Sequence, residues 1–479
     1  MLRRTKIVAT VGPATDDLAV MTGMFRNGVD VVRLNASHGT VEDRRRRLGM
    51  VREAARVADR CVGILLDLGG PKIRIEGFRE GRVMLKEGQS FALDTELDPK
   101  GGTIDTVGVA YKDLPEDVTA GDVLLLNDGQ IVLEVDAVKG SRIETRVRVG
   151  GELSDRKGLN RQGGGISAPA LSDKDREDIK FGAQEEVDYI AVSFARDAAD
   201  IEQARRLVRE AGGDARIVAK IERHEAITNL QGIIDAADVV MVARGDLGVE
   251  MGYAELTGLQ KTIIHQSRAR NRVVITATQM MESMIQNPAP TRAEVSDVAN
   301  AVMDGTDAVM LSAETAAGRY PIKVVGAMAE VIEGAEKYQL THARSRHRVE
   351  GQFRGTEEAI AMAVMYTANH MKVRAIVALT ETGATPLWMS RIRSDIPVYA
   401  FTRHEATRRR VTLYRGVYPV IFDVTKNEST QELYSAIFSR LLELQLVKHN
   451  DLVILTKGEL SGATGGTNSM QILKVAPAA

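Results

Sequence analysis

Short aliphatic and β-branched runs alternate with amphipathic, Ala-, Arg- and Glu-rich stretches from the first residues onward, beginning with a strand pattern over 6–11 and a helical one over 18–27. The same buried-strand pattern returns at 29–34, 62–67, 189–194, 217–221, 239–243, 273–277 and 308–311, which makes eight with the first. Helical periodicity fills the intervals at 41–58, 174–184, 198–211, 224–236, 253–270 and 291–303, and 320–338 closes the series. Eight βα units predict an α/β protein built on a (β/α)8 barrel, with reactive side chains at the C-terminal strand ends. An open doubly wound sheet is the weaker alternative, because eight units in one rhythm are what a closed ring requires.

The rhythm is interrupted once. From about 71 to 168 helical periodicity disappears and short alternating strands with turn signals replace it. Asn127-Asp128-Gly129 between the apolar runs of 124–133 is a hairpin signature, and Lys139-Gly140-Ser141 marks another turn. This predicts a small β-barrel lid domain, inserted at a strand's C-terminal end and so standing over the mouth of the larger barrel. A basic polar stretch over 342–348 reads as a linker, and alternating strands and helices resume after it as an open α/β domain. The expected division is therefore 1–70 with 169–340 as catalytic barrel, 71–168 as lid, and 350–479 as an effector-binding domain.

Composition narrows the function classes. The 479 residues carry 63 basic and 65 acidic side chains, a net charge of −2, which supplies no electrostatic reason for a nucleic-acid or membrane partner. The basic runs at 44–47 and 408–410 lie in amphipathic helices and read as solvated faces or subunit salt bridges. A single cysteine, Cys61, excludes an intrachain disulfide and is expected in a buried strand as a small hydrophobe. The apolar stretch after Arg3, Arg4 and Lys6 is too short for a signal peptide, and a cytoplasmic location is expected. There is no Walker lysine loop, zinc spacing or dinucleotide fingerprint.

Polar groups accumulate where the barrel strands should end: Arg33, Asn35 and Ser37; Asp67; Lys220 and Glu222; Asp246; Thr278; Ser312 and Glu314. Alternation along 217–222 sends Lys220 and Glu222 to one face, inside the barrel mouth. The carboxylates Glu222 and Asp246 suit a hard divalent cation, which is commonly held by one or two carboxylates plus substrate oxygens.

At these residues the chain resembles pyruvate kinase, over essentially its whole length. The blocks that carry the resemblance are Lys6-Ile7-Val8-Ala9-Thr10-Val11-Gly12-Pro13, Arg33-Leu34-Asn35-Ala36-Ser37-His38-Gly39, and Met241-Val242-Ala243-Arg244-Gly245-Asp246-Leu247-Gly248. Three more follow in family order: Ala277-Thr278-Gln279-Met280-Met281-Glu282-Ser283-Met284, Pro290-Thr291-Arg292-Ala293-Glu294 and Met310-Leu311-Ser312-Ala313-Glu314-Thr315. The resemblance implies a cytoplasmic homotetramer that transfers a phosphoryl group from phosphoenolpyruvate to ADP, giving pyruvate and ATP. It implies Mg2+, for which Mn2+ can substitute, on Glu222 and Asp246, with Lys220 and Arg33 on the transferring phosphoryl group. Thr278, with backbone N–H groups at Gly245 and Asp246, would take the substrate carboxylate, while Asn35, His38, Arg74 and Lys157 would meet the nucleotide.

The chain also departs from the family. Members that need potassium generally have Thr and Glu where this chain has Leu68 and Lys72, although Asn35, Ser37 and Asp67 persist. Lys72 is expected to put its charge near those three and stand in for K+, making K+ unnecessary. Arg161-Gln162 replaces a common Leu-Pro in the lid return, and Ala317 a frequent Lys. In the third domain, Thr380, Thr382, Gly383, Ala384 and Thr385 form a phosphate-nest pattern over which Ser461 and Gly462 would close. The family implies a sugar phosphate or AMP as the effector there. Two other readings of the site are an enolate lyase or mutase on the same barrel, which needs no lid lysine, and a silent metabolite-binding regulator, which need not keep Arg33, Lys220, Glu222, Asp246 and Thr278 together.

Overall fold

Period-two alternation along each β-branched run settles which side chains face inward, and the ring of strands follows from it. In the computed structural model, which describes residues 2–342, 353, 355–426, 429–458 and 466–475, eight parallel strands close into a barrel. They are Lys6–Val11, Val31–Asn35, Gly63–Asp67, Tyr189–Val192, Arg216–Ile221, Val239–Ala243, Val273–Ala277 and Ala308–Leu311, and the last pairs with the first through Lys6↔Ala308. Outward residues such as Ile7, Ala9, Ile217 and Ala219 pack under the helices, while Val8, Leu65, Val218 and Met241 fill the interior. That interior apolar core is continuous with Val411, Leu413 and Val417 of the C-terminal α/β unit, so the barrel is closed at the end opposite the polar residues.

The insert leaves after Gly63–Asp67 and returns before the helix Asp173–Gln184. It contains a six-stranded sheet and a separate two-stranded one. The expected hairpin joins Val123–Leu126 to Ile131–Lys139, and its turn holds Asn127, Asp128 and Gly129 all at positive φ. The C-terminal unit is a five-stranded sheet in the order Val417–Ile421, Val398–Thr402, Ala375–Leu379, Leu452–Gly458, Thr467–Lys474, antiparallel only at the last strand.

Several elements differ from the expected pattern. The helix expected over 224–236 is two, His224–Thr228 and Leu230–Ala236, broken at Asn229, whose side chain donates to the Arg196 carbonyl. A helix not anticipated, Arg244–Met251, follows the sixth barrel strand. The helix expected over 387–393 begins earlier, at Ala384–Ser390, where Gly383 at φ 85° supplies the turn into it. Cys61 lies half-buried two residues before its strand rather than within it. From residue 343 the linker falls outside the described residues. Among the described residues no helix is long and apolar enough to cross a membrane.

Candidate active site

The inward positions at the C-terminal strand ends form one chain of alternating charge. The Thr10 hydroxyl donates to the Leu311 carbonyl and accepts from Arg33 Nη1 at 3.1 Å. Arg33 Nε donates to Asp67 Oδ2 at 2.6 Å, and the other Asp67 oxygen lies 3.3 Å from Lys220 Nζ. Lys220 reaches Glu222 Oε1 at 2.9 Å and donates to Ser193 Oγ at 2.7 Å. Each charge is buried or nearly so, with Asp67 and Glu222 both at 1% exposure, which makes mutual pairing obligatory.

The electrostatics follow from that packing. Burial alone would raise the Asp67 pKa, but Lys220 and Arg33 outweigh it and hold the carboxyl below its ordinary range. Burial would likewise lower the Lys220 pKa, yet Asp67 and Glu222 keep its ammonium above the usual value. Glu222 is pushed upward, first by burial and then by the like charge of Asp246, against the opposing pull of Lys220 and the Phe194 N–H. Two hard oxygen donors that repel one another form a site a divalent cation would relieve. Among the described residues there is no group of three or more His, Cys, Asp or Glu able to hold a metal, so beyond Glu222 and Asp246 a cation here would need oxygens of another kind, such as carbonyl, hydroxyl, substrate or water.

Backbone strain concentrates at the same mouth. Thr278 and Gln279 sit at φ 67° and 53°, and Phe194 at 56°, a region that costs a non-glycine residue about 1–3 kcal/mol. Arg244 holds the first of these turns by donating to the Ala277 and Thr278 carbonyls at 3.2 and 2.6 Å, while Asp297 anchors its guanidinium at 2.7 Å. The turn brings Thr278 Oγ1 to the Gly245 N–H at 2.9 Å. Gly245, Asp246 and Thr278 are thus gathered at one edge, at the start of the unanticipated helix Arg244–Met251.

Lys72 finds its partners at the sixth strand's end and on the insert. It pairs with Asp246 Oδ1 at 2.9 Å, with Asp128 of the insert's hairpin at 3.8 Å, and not with Asp67, both of whose oxygens are engaged by Arg33 and Lys220. A Cβ at Gly158 would lie 3.0 Å from Lys72 Cε, so the absent side chain leaves room for the lysine stem. Burial works to lower the Lys72 pKa, but Asp246, helped by Asp128 and Glu222, more than offsets it and the ammonium is held above its ordinary value. Leu68 packs in the apolar layer under the helices and offers the mouth only its carbonyl.

The remaining candidates are more dispersed. Asn35 Oδ1 accepts from the Ser37 N–H at 3.0 Å, and Ser37 and His38 lie exposed on the loop that follows. Arg74 donates to the Arg156 carbonyl within the insert, and half-buried Lys157 lends its carbonyl to the Ile75 N–H. In the C-terminal unit Thr380 Oγ1 accepts from the Gly383 N–H at 2.9 Å, and Thr385 shares a 2.7 Å hydroxyl contact with Thr467. Glu381 beside Thr382 is paired with Arg403 and His404. Ser461 and Gly462 lie outside the described residues. Sequence reasoning missed Thr10 and Ser193, although both continue the inward alternation of their strands.

Comparison with known proteins bears on this geometry. The pyruvate kinase barrel-domain family matches residues 2–325, and the pyruvate kinase alpha/beta-domain family matches 358–473. Pyruvate kinase II of Salmonella typhimurium is 53% identical over 478 residues, covering 99% of each chain. The pyruvate kinase of Geobacillus stearothermophilus is 42% identical, over 98% of this chain and 80% of its own. Among solved structures, a pyruvate kinase from Cryptosporidium parvum superposes with a TM-score of 0.91 at 32% identity, over 99% of this chain and 96% of that one.

Proposed function

This chain belongs to the pyruvate kinase family of phosphotransferases, and from that premise we propose that it carries out Mg2+-dependent transfer of the phosphoryl group of phosphoenolpyruvate to ADP, without needing K+. The observation that carries the reading is the buried Arg33–Asp67–Lys220–Glu222 chain, with Asp246 facing it. Phosphoryl transfer asks chiefly for positioning and charge neutralisation. Arg33 and Lys220 meet the phosphoryl oxygens, and Lys220 also offsets charge on the forming enolate. Glu222 and Asp246 hold the Mg2+, which when bound adds positive charge against the substrate oxygens. Thr278 and the N–H groups at Gly245 and Asp246 orient the substrate carboxylate; Gly245 exchanges its present bond to Thr278 for that contact. Asn35, His38, Arg74 and Lys157 receive the nucleotide, with the 71–168 insert as the lid that excludes water.

Independence from K+ rests on Leu68 and Lys72. Leu68 contributes no side-chain oxygen, and Lys72, paired with Asp246, supplies a fixed positive charge at the mouth in place of a monovalent cation. In the C-terminal unit the Thr380–Thr385 turn is the effector site, for a sugar phosphate or AMP. Its Glu381 is already paired with Arg403 and in contact with His404, which lowers the barrier to an anion. The working form is a cytoplasmic homotetramer.

The test is pyruvate formation in a coupled assay, titrated with Mg2+ and, at matched ionic strength in tetramethylammonium buffer, with KCl. Glu222→Gln and Asp246→Asn are expected to raise the Mg2+ requirement steeply. An unchanged Mg2+ titration, or a large saturable activation by K+, contradicts the corresponding part of the reading. Saturation curves with AMP and sugar phosphates, parent against Thr382→Glu, test the effector site.

A further inference from the structure

The end of the Tyr189–Val192 strand carries none of the residues assigned above, yet it touches both buried charges at the heart of the site. Alternation sends Tyr189 and Ala191 into the barrel interior and delivers Ser193 to its mouth. Ser193 is 1% exposed, and its hydroxyl donates to the Leu68 carbonyl at 2.8 Å. With its single proton committed there, the oxygen has only lone pairs to offer, and it accepts from Lys220 Nζ at 2.7 Å. The next residue, Phe194, is turned to φ 56° and donates its N–H to Glu222 Oε2 at 2.8 Å. Gly70 packs directly on this pair: a Cβ there would lie 2.7 Å from Ser193 Cβ and 2.8 Å from Phe194 Cδ2.

We propose that Ser193 is a positioning residue for Lys220, fixing the reacting ammonium through a neutral acceptor that is itself anchored where the chain leaves the barrel for the insert. The other two Lys220 partners, Asp67 and Glu222, are anionic, so each draws the ammonium toward itself and offsets its charge. A hydroxyl holds the ammonium in place while leaving its full charge for the phosphoryl group. Because Leu68 is the anchor, the lysine's position is tied to the register at which the chain departs toward the insert. This rests on reading Lys220 as the group that meets the transferring phosphoryl.

The experiment is a double-mutant cycle in the full-length enzyme: Ser193→Ala and Ser193→Cys, each in the parent and in Lys220→Met, with kcat and KM for phosphoenolpyruvate measured separately. Losing a hydrogen bond to a charged group that matters in the transition state is expected to lower kcat about 10- to 100-fold, with KM changed less than about threefold. Cysteine fills the space but is a weak acceptor, so it is expected to behave like alanine. In the Lys220→Met background either change is expected to cost less than about twofold more, because the interaction it removes is already gone. Parental kcat in Ser193→Ala or Ser193→Cys, a loss expressed in KM, or an equal loss in the Lys220→Met background overturns the proposal. Parental kcat in Lys220→Met overturns the reading of Lys220 and the proposal with it.

Discussion

Replacing Glu250 by glutamine should stabilise the seam between insert and barrel, increasingly so as pH rises. Glu250 is 6% exposed, near the end of the Arg244–Met251 helix. Its oxygens accept from the His224 N–H at 2.9 Å and from Asn160 Nδ2, on the insert's returning strand, at 3.3 Å. Arg223 and Glu225 flank it and tie down the segment that follows that strand: Arg223 donates to the Ile166 carbonyl at 2.8 Å, and Glu225 accepts from the Gly165 N–H at 2.5 Å. Burial raises the Glu250 pKa to about 7, with the His224 N–H, Arg223 and Asn160 pulling it down and Glu225 adding to the rise. A carboxyl whose folded pKa exceeds its unfolded one costs stability once pH passes the unfolded value. That cost grows until pH reaches the folded pKa and is constant above it. For a rise from about 4.5 to about 7, this amounts to about 1 kcal/mol at pH 5 and about 3 kcal/mol at pH 8. Glutamine keeps an acceptor for His224 and removes the titration. Hydrogen exchange across 158–166 in parent and variant at pH 5, 6, 7 and 8 reads the local opening free energy directly. The expected result is slower exchange in Glu250→Gln, with an advantage that widens from pH 5 to 7 and then levels. An advantage that is flat over this range, or largest at pH 5, refutes the reasoning.

Three further outcomes follow from packing and charge. In Lys220→Met the methylene stem stays and the ammonium goes, so kcat should fall on the order of 10^2-fold or more. Its melting temperature should fall too, because Asp67 keeps Arg33 but Glu222 loses the ammonium it is paired with; steady-state kinetics and calorimetry check the two effects. Gly70→Ala forces a Cβ to 2.7 Å from Ser193 Cβ at a residue with φ 66°, which should cost about 1–3 kcal/mol by urea unfolding and lower kcat as Ser193 shifts. Cys61, whose thiol burial pushes up to about 12, should react with a chromogenic disulfide far more slowly in the native protein than in guanidinium; equal rates would show it to be accessible.

Local periodicity was enough to read the eight strands, because a buried strand repeats every two residues whatever surrounds it. The same alternation placed Lys220 and Glu222 on one face, and extended by one position it would have added Ser193 after Tyr189 and Ala191. The hairpin at Asn127-Asp128-Gly129 was equally legible, since its positive φ angles are a property of those residue types. Partner choice was not. Lys72 pairs with Asp246, 174 positions along the chain, because the insert carries Lys72 over the sixth strand's end while Arg33 and Lys220, from neighbouring parts of the ring, already occupy Asp67. The break at Asn229 likewise answers to the Arg196 carbonyl from another βα unit. Nor does the sequence pattern reveal that the barrel's interior core runs on into Val411, Leu413 and Val417 of the C-terminal unit. A residue's face is set by its own backbone geometry, whereas its partner is set by barrel closure, which brings together strands from distant parts of the chain at a register no local pattern records.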